Sequence, residues 1–334
     1  MAKMVKSSTS PPLAASMPKA QLRVFVRPRP KSATGLWIFL FLLPFLLLFG
    51  AFTLWPLVAT IIYSFFDWNG VDALSTQNFV GLSNYQELLH DPLFWQSFWN
   101  TLIFAATNTL IKLPLSLLLA VILTRKWLWF KRFFRTLFFV PIILPVALVG
   151  QIFTFLLNPS NGALNSFLLG TGLVKQPIDL LGNESTALWA VILISVWQIF
   201  GQYMLYWMAA LQNVPEDLYE AAQIDRANAW QQFITITLPM IFPMAIVITL
   251  LGLVNSLHVF GIVVTLTSGG PGTSSYVLSY YIYQAAFQNL PFRYGYASAA
   301  AALFVVLAAV FVFIQWRLGR STTSTTRQIG ARNA

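Results

Sequence analysis

Long uninterrupted runs of apolar residues, parted by short polar segments, set the pattern of this chain. They fall at residues 36–64, 98–124, 137–157, 187–211, 240–266 and 295–316, each long enough to cross about 30 Å of hydrocarbon as a helix. The runs are apolar on nearly all sides, whereas barrel strands would be about ten residues long and alternate in polarity. Backbone groups in such segments must be satisfied internally, as helices do. The pattern therefore predicts an all-α polytopic membrane protein with six transmembrane helices. Pro44 and Pro56 in the first run, Pro114 in the second, and Pro141 and Pro145 in the third each remove a helical hydrogen bond and predict kinks. Between the third and fourth runs, turn-forming pairs surround the apolar stretch 164–169 and predict a short outward helix. After the fifth, Ser268-Gly269-Gly270-Pro271-Gly272 predicts a tight turn leading into a half-buried lid helix over 276–287.

Composition agrees with that pattern: 57% hydrophobic residues, 9% charged residues and a mean hydropathy of +0.69 exceed what one soluble core can bury. A net charge of +10 raises the question of nucleic acid, but the basic residues sort by membrane side instead. Lys3, Lys6, Lys19, Arg23, Arg27, Arg29 and Lys31 precede the first run; Arg125, Lys126, Lys131, Arg132 and Arg135 follow the second; Arg317, Arg320, Arg327 and Arg332 follow the last. The alternate loops hold only Lys175 and Arg293. By the positive-inside rule both termini are expected in the cytosol, and no nucleic-acid partner is expected. The zero cysteine count excludes disulfides and thiolate metal sites. Residues 1–35 form a basic leader rich in Ser, Pro and Ala, too poor in apolar groups to order itself and suited to anionic lipid headgroups. The run after it is too long for a signal sequence and is expected to be retained. The organisation expected is a leader at 1–35, a membrane domain at 36–320 and a cytosolic tail at 321–334, with no soluble domain and no tandem repeat.

The most informative polar stretch is the loop 213–239. Pro215, Glu216 and Asp217 suit the first turn of a helix and its positive dipole end. Asn228 is placed to cap a second helix. Ala221 and Ala222 leave a small surface beside Glu220, and Trp230 and Phe233 supply apolar bulk. Such a hairpin either docks into a protein groove or lies on lipid. The run Glu220-Ala221-Ala222, then Asp225 and Ala227, then Ile236, Leu238 and Pro239 closely resembles the EAA motif of bacterial ATP-binding-cassette importer permeases. One departure stands out: Arg226 occupies the turn position where that family usually has Gly. It must either take an ordinary turn or accept strain of about 1 kcal/mol or more. The resemblance extends to Asn78-Phe79-Val80-Gly81-Leu82-Ser83-Asn84-Tyr85, Asp91-Pro92-Leu93-Phe94-Trp95, Asn100-Thr101, Gly269-Gly270-Pro271, Tyr281-Ile282-Tyr283-Gln284-Ala285-Ala286-Phe287 and Gly295-Tyr296-Ala297-Ser298-Ala299. Together these are similar to the sugar branch, the maltose and glycerol-3-phosphate permease group.

That resemblance implies a type I importer permease fold in a bacterial inner membrane. It implies as partners a sister permease, two ATPase subunits, an extracytoplasmic solute-binding protein, membrane lipid and a sugar-type substrate. No Gly-x-x-x-x-Gly-Lys-Ser/Thr loop can be formed here, so the chain is expected to be neither an enzyme nor a cofactor binder, with ATP and Mg on the ATPase subunits. The coupling residues implied are Glu220, Ala221, Ala222, Asp225, Arg226 and Ala227, with Glu220 meeting a basic residue of the ATPase groove. For the substrate path, Ser195, Gln198 and Gln202 share one face of the fourth helix with Tyr203 and Tyr206 beside them, and Asn255, Ser256 and His258 stand on the fifth. Hydroxyls, amides and aromatic faces suit sugars, though the same groups also serve hydrogen bonds between helices. Lys112 either snorkels or pairs with an acid of a sister subunit. His90, in an outward loop, reads as a surface histidine. A glycerol-3-phosphate or polyol-phosphate importer is the nearest alternative. A stand-alone proton-coupled transporter or a membrane-embedded enzyme would need clustered intramembrane acids or histidines, which the runs lack.

Overall fold

The computed structural model describes residues 31–71, 73–125 and 128–332; most of the basic leader (1–30) and the last two residues of the tail lie outside the described residues. The chain divides into two units, Met1–Trp55 and Pro56–Ala334. In the first, α1 (Lys31–Phe49) runs into a π-helical turn at Gly50–Leu54. Phe41 and Phe52 there are exposed, as expected of a helix solvated by lipid or covered by a partner. A helix, α2 (Trp55–Tyr63), starts at the boundary.

The second unit is helical throughout its described residues apart from loops and a single bridge between Phe66 and Phe79. In order it contains α3 (Ser83–His90), α4 (Pro92–Thr124), α5 (Lys131–Ile143), α6 (Val146–Leu156), α7 (Ala163–Gly170), α8 (Ala187–Leu211), α9 (Glu216–Ile224), α10 (Ala229–Gln232), α11 (Leu238–Leu257), α12 (Gly261–Leu266), α13 (Leu278–Tyr283) and α14 (Tyr294–Arg332). Among the described residues, five helices are long and apolar enough to cross a membrane, or six if α5 and α6 count as one span.

That pair departs from a single kinked helix over 137–157. The chain bends by 97° between Ile143 and Val146, because Leu144 takes an extended conformation (ψ 130°) before Pro145; a residue preceding proline is pushed out of the helical region. The fifth span also differs. Its helix begins at Ala229, passes through a π turn at Phe233–Thr237 and ends at Leu257, so 261–266 forms the separate α12 rather than its last turns. The short helix expected at 164–169 is α7, and the lid is α13 continued by a π turn, Gln284–Gln288. The turn before it has left-handed backbone at Ser268, Gly269 and Gly272.

Helix α8 is the centre of the unit and packs against α4, α5 and α11. Gly201 allows this approach on one side: a side chain there would collide with the Phe138 carbonyl of α5. Leu113, Tyr203, Met204, Trp207 and Ile248 bury together at the end of the bundle near the hairpin, while Leu88, Phe94, Leu278, Tyr281 and Tyr296 do so at the opposite end.

Candidate functional site

The hairpin is shaped by strictly local bonds. Pro215 takes the cap position one residue before α9, and Glu216 and Asp217 occupy the first turn, where the helix dipole favours acids. At the other end Arg226 is left-handed, with φ 59°. Ala227 N–H donates to Ala222 O (2.9 Å) and Arg226 N–H to Gln223 O (3.0 Å). This is the Schellman closure, which ordinarily takes Gly at the left-handed residue. Of the two options open to Arg226, the chain adopts the strained one. Asn228 then forms a reciprocal capping box with Gln231, at 2.9 and 2.8 Å, and Tyr219 Oη meets Thr237 Oγ1 at 2.7 Å to tie the two arms. On this frame Glu220, Ala221, Asp225 and Arg226 are exposed, and Ala222 and Ala227 are half-buried. Ile224 and Trp230 are exposed beside them, at 82% and 68%. Glu220 also lines a cleft of about 820 Å³ shared with Arg125, Lys131 and Arg135.

The intramembrane candidates fall into two groups. Ser195, Gln198, Tyr203 and Ser256 are buried and bonded within the chain, so the face of α8 that carries Ser195 and Gln198 looks into the bundle. Asn108 Nδ2 donates to Ser195 Oγ (3.2 Å) and Ser256 Oγ to Asn108 Oδ1 (3.0 Å); Gln198 Nε2 reaches the Leu144 carbonyl at 3.3 Å, beside the proline break. Asn255 and His258 are exposed and Gln202 is half-buried. Asn255 Nδ2 donates to Tyr203 Oη (3.0 Å), Gln202 Nε2 to Tyr206 Oη (2.7 Å), and a ring nitrogen of His258 lies 2.9 Å from Val254 O. Lys112 neither snorkels nor waits for an outside acid: it is 1% exposed, and its amine donates to Gly252 O (3.3 Å) and Ser256 Oγ (3.0 Å) beneath the Tyr203 ring.

A third group at the opposite end is absent from the sequence expectations as a site. Asp91 caps α4 through Leu93 N–H (2.8 Å), and its other oxygen accepts from Tyr281 (2.5 Å) and Tyr296 (3.2 Å). Burial, and hydrogen bonding to Asp91, push the Tyr281 hydroxyl well above its ordinary pKa. Arg293 grips Glu87 with two bonds, at 2.7 and 2.5 Å, and lies over the Tyr296 ring. The hydrogen bond from Arg293 holds Glu87 below the usual carboxylate range and raises Arg293 in turn. Asn100 Nδ2 donates to the carbonyls of Ser274 and Tyr276, and Leu278 N–H to Thr101 Oγ1. A cavity of about 450 Å³ opens beside this clasp. Exposed His90 stands at its edge, with a ring nitrogen 2.7 Å from Gln86 O. Most of these residues lie in the motifs that carried the resemblance, but their pairing across 174 to 206 residues leaves no local signal.

Among known proteins, the chain is 36% identical to the probable ABC transporter permease protein YurN of Bacillus subtilis over 283 residues, 84% of this chain and 94% of that protein. It is 31% identical to the lactose transport system permease protein LacF of Rhizobium radiobacter, covering 84% and 93%. A chain in the crystal structure of a bacterial alginate ABC transporter, solved in complex with an alginate pentasaccharide-bound periplasmic protein, superposes with a TM-score of 0.76 at 25% identity, covering 88% of this chain and 97% of that one. Residues 112–324 match the binding-protein-dependent transport system inner membrane component family; the chain belongs to that family and is a multi-pass inner-membrane permease of the ABC-importer type.

Proposed function

We propose that the chain forms, with a sister permease, the path by which a saccharide or glycoside crosses the inner membrane. Two ATPase subunits would supply the energy and a solute-binding protein would deliver the substrate. In this reading both termini and the 213–239 hairpin face the cytosol, and the chain itself carries out no catalysis and holds neither ATP nor Mg. The observation that carries it is the hairpin surface. A Schellman closure and a capping box hold Glu220, Ala221, Asp225 and Arg226 on a small, stiff, exposed knob, with Ile224 and Trp230 supplying apolar area for a groove. Small residues at 221, 222 and 227 let a partner approach the backbone closely. Glu220 then pairs with a basic groove residue and transmits closure of the ATPase pair to the helices on either side of the hairpin. Along the path, Asn255, His258, Gln202 and Tyr206 offer the donors, acceptors and ring face that a sugar needs. The sugar class draws support from the lactose and alginate systems among the similar proteins.

The test is to isolate the tagged chain from its native membranes in mild detergent, identify what accompanies it, and reconstitute the complex in vesicles. Expected are a sister permease, an ATPase, and ATP-driven uptake of labelled disaccharides that requires the binding protein. Uptake of glycerol 3-phosphate in place of any sugar would correct the substrate class. A folded chain that emerges alone and hydrolyses no ATP would overturn the reading in favour of a stand-alone transporter.

A further inference from the structure

Lys112 is a buried lysine in the middle of a membrane-spanning helix, and among the described residues no carboxylate pairs with it. A methionine of similar length would fill that space without desolvating a charge, and such replacements are often neutral or stabilising. The lysine therefore adds something other than packing. Its geometry shows what it holds. The amine donates to Gly252 O and Ser256 Oγ on α11 and lies 4.4 Å from the centre of the Tyr203 ring on α8, a cation–π distance. Ser256 Oγ in turn lies within hydrogen-bond distance of Gly252 O (2.7 Å) and Asn108 Oδ1 (3.0 Å), two acceptors that share its single proton. Thus one side chain of α4 is fixed to both neighbouring helices. The two residues it steadies, Tyr203 and Ser256, flank the Asn255–Tyr203 hydrogen bond: Tyr203 is its acceptor, and Ser256 is the chain neighbour of its donor. Asn255 is exposed, and so is His258 one helical turn on.

We infer that Lys112 is a positioning residue for substrate passage: from inside the bundle it fixes Asn255, through Tyr203 and Ser256, at the orientation in which Asn255 meets the sugar. The inference rests on the proposed saccharide path, and its test separates the two. In the reconstituted complex, Lys112→Met is expected to assemble and to lower saccharide uptake by about tenfold, while Lys112→Arg, which keeps the cation, recovers most of it. Because both act on one contact, Lys112→Met combined with Asn255→Ala is expected to be no worse than the more severe single variant, the mark of coupled residues. Normal uptake by Lys112→Met, losses that multiply in the double variant, or an arginine variant no better than methionine would each overturn the inference. If Lys112→Met does not assemble, Ser256→Ala removes one anchor without touching the lysine and must show the same non-additivity with Asn255→Ala. A second readout needs no substrate. The chain has no cysteine, so His258→Cys gives this chain a single thiol, at the exposed position just after α11. Its maleimide labelling rate should change by about fivefold or more with Lys112→Met and little with Lys112→Arg. Should the wild-type complex move no saccharide, the path reading fails. The labelling result then decides the positioning role alone, and an unchanged rate rejects it.

Discussion

The clasp around Asp91 and the hairpin at 213–239 are both polar regions at the ends of membrane-spanning helices, yet they are held together differently. In the clasp almost every bond joins distant parts of the chain: Asp91 to Tyr281 and Tyr296, Glu87 to Arg293, Asn100 and Thr101 to the segment before α13. The tyrosines are buried and little is left for another molecule to satisfy. In the hairpin the longest reach is the 18-residue separation of Tyr219 and Thr237, and most bonds span five residues or fewer. Glu220, Asp225, Arg226, Ile224 and Trp230 are all exposed on it. A region closed by long-range bonds holds its own shape; a region closed by local bonds keeps its shape while leaving its side chains available. The clasp thus belongs to the stability of the unit, while the hairpin is the region proposed to meet the partner subunits.

The sharpest way to break this contrast is Asp91→Ala. It removes a helix cap and the acceptor of two tyrosine hydroxyls, and is expected to destabilise the purified protein by about 3 kcal/mol, seen as a clear fall in melting temperature in detergent. A variant that melts with the wild type would show that the clasp is ornamental. Glu220→Ala tests the other side. It should leave melting unchanged, since the side chain is exposed, and lower ATP-driven uptake by about 5- to 150-fold, the range of ordinary coupling energies. Full uptake would remove Glu220 from the coupling role, and a lowered melting temperature would mean that the hairpin, too, is structural.

Arg226→Gly has a smaller and two-sided effect. Glycine takes the left-handed conformation without the side-chain penalty, so the hairpin should gain up to about 1 kcal/mol. Arg226 is also the single base among residues 213–239; if it meets an acidic groove on the ATPase, the same variant binds that subunit more weakly. A pull-down at graded salt, set beside the melting curve, separates the two effects. A variant that melts earlier would contradict the strain argument, and one that assembles and transports normally would discard the groove contact.

How far the sequence carried depended on the length scale of the physics. Helix count, the cap at Asn228, the conflict at Arg226 and the turn at 268–272 follow from rules acting within a few residues, and these are visible in the structure. A break at Pro145 also follows from a local rule, since the residue before a proline leaves the helical region, but that rule sets no angle, and the 97° bend is not supplied by spacing alone. Ser195, Gln198 and Gln202 do share a helical face, but periodicity does not say whether a polar face looks at a path or into a neighbouring helix. Asn108, whose amide joins α4 to Ser195 and Ser256, has nothing beside it in sequence to mark it. The clasp was least legible for the same reason: its partners are 190 and 205 residues from Asp91.

The finest probe of the comparison is pH, because one member of the clasp is only partly buried. Glu87 and Arg293 are 51% and 40% exposed, so solvent limits their pair to about 0–1 kcal/mol. The sign is set by the hydrogen bond from Arg293, which places the folded pKa of Glu87 below its unfolded value. The pair therefore contributes fully above the unfolded glutamate pKa of about 4.3, and the contribution is lost as pH falls through the lower, folded value. Melting curves of the wild type and Glu87→Gln should differ slightly at neutral pH and converge on strong acidification. A difference that persists unchanged in acid would mean that Glu87 holds the clasp by shape rather than charge, and would move this corner of it toward the hairpin's logic of local bonding.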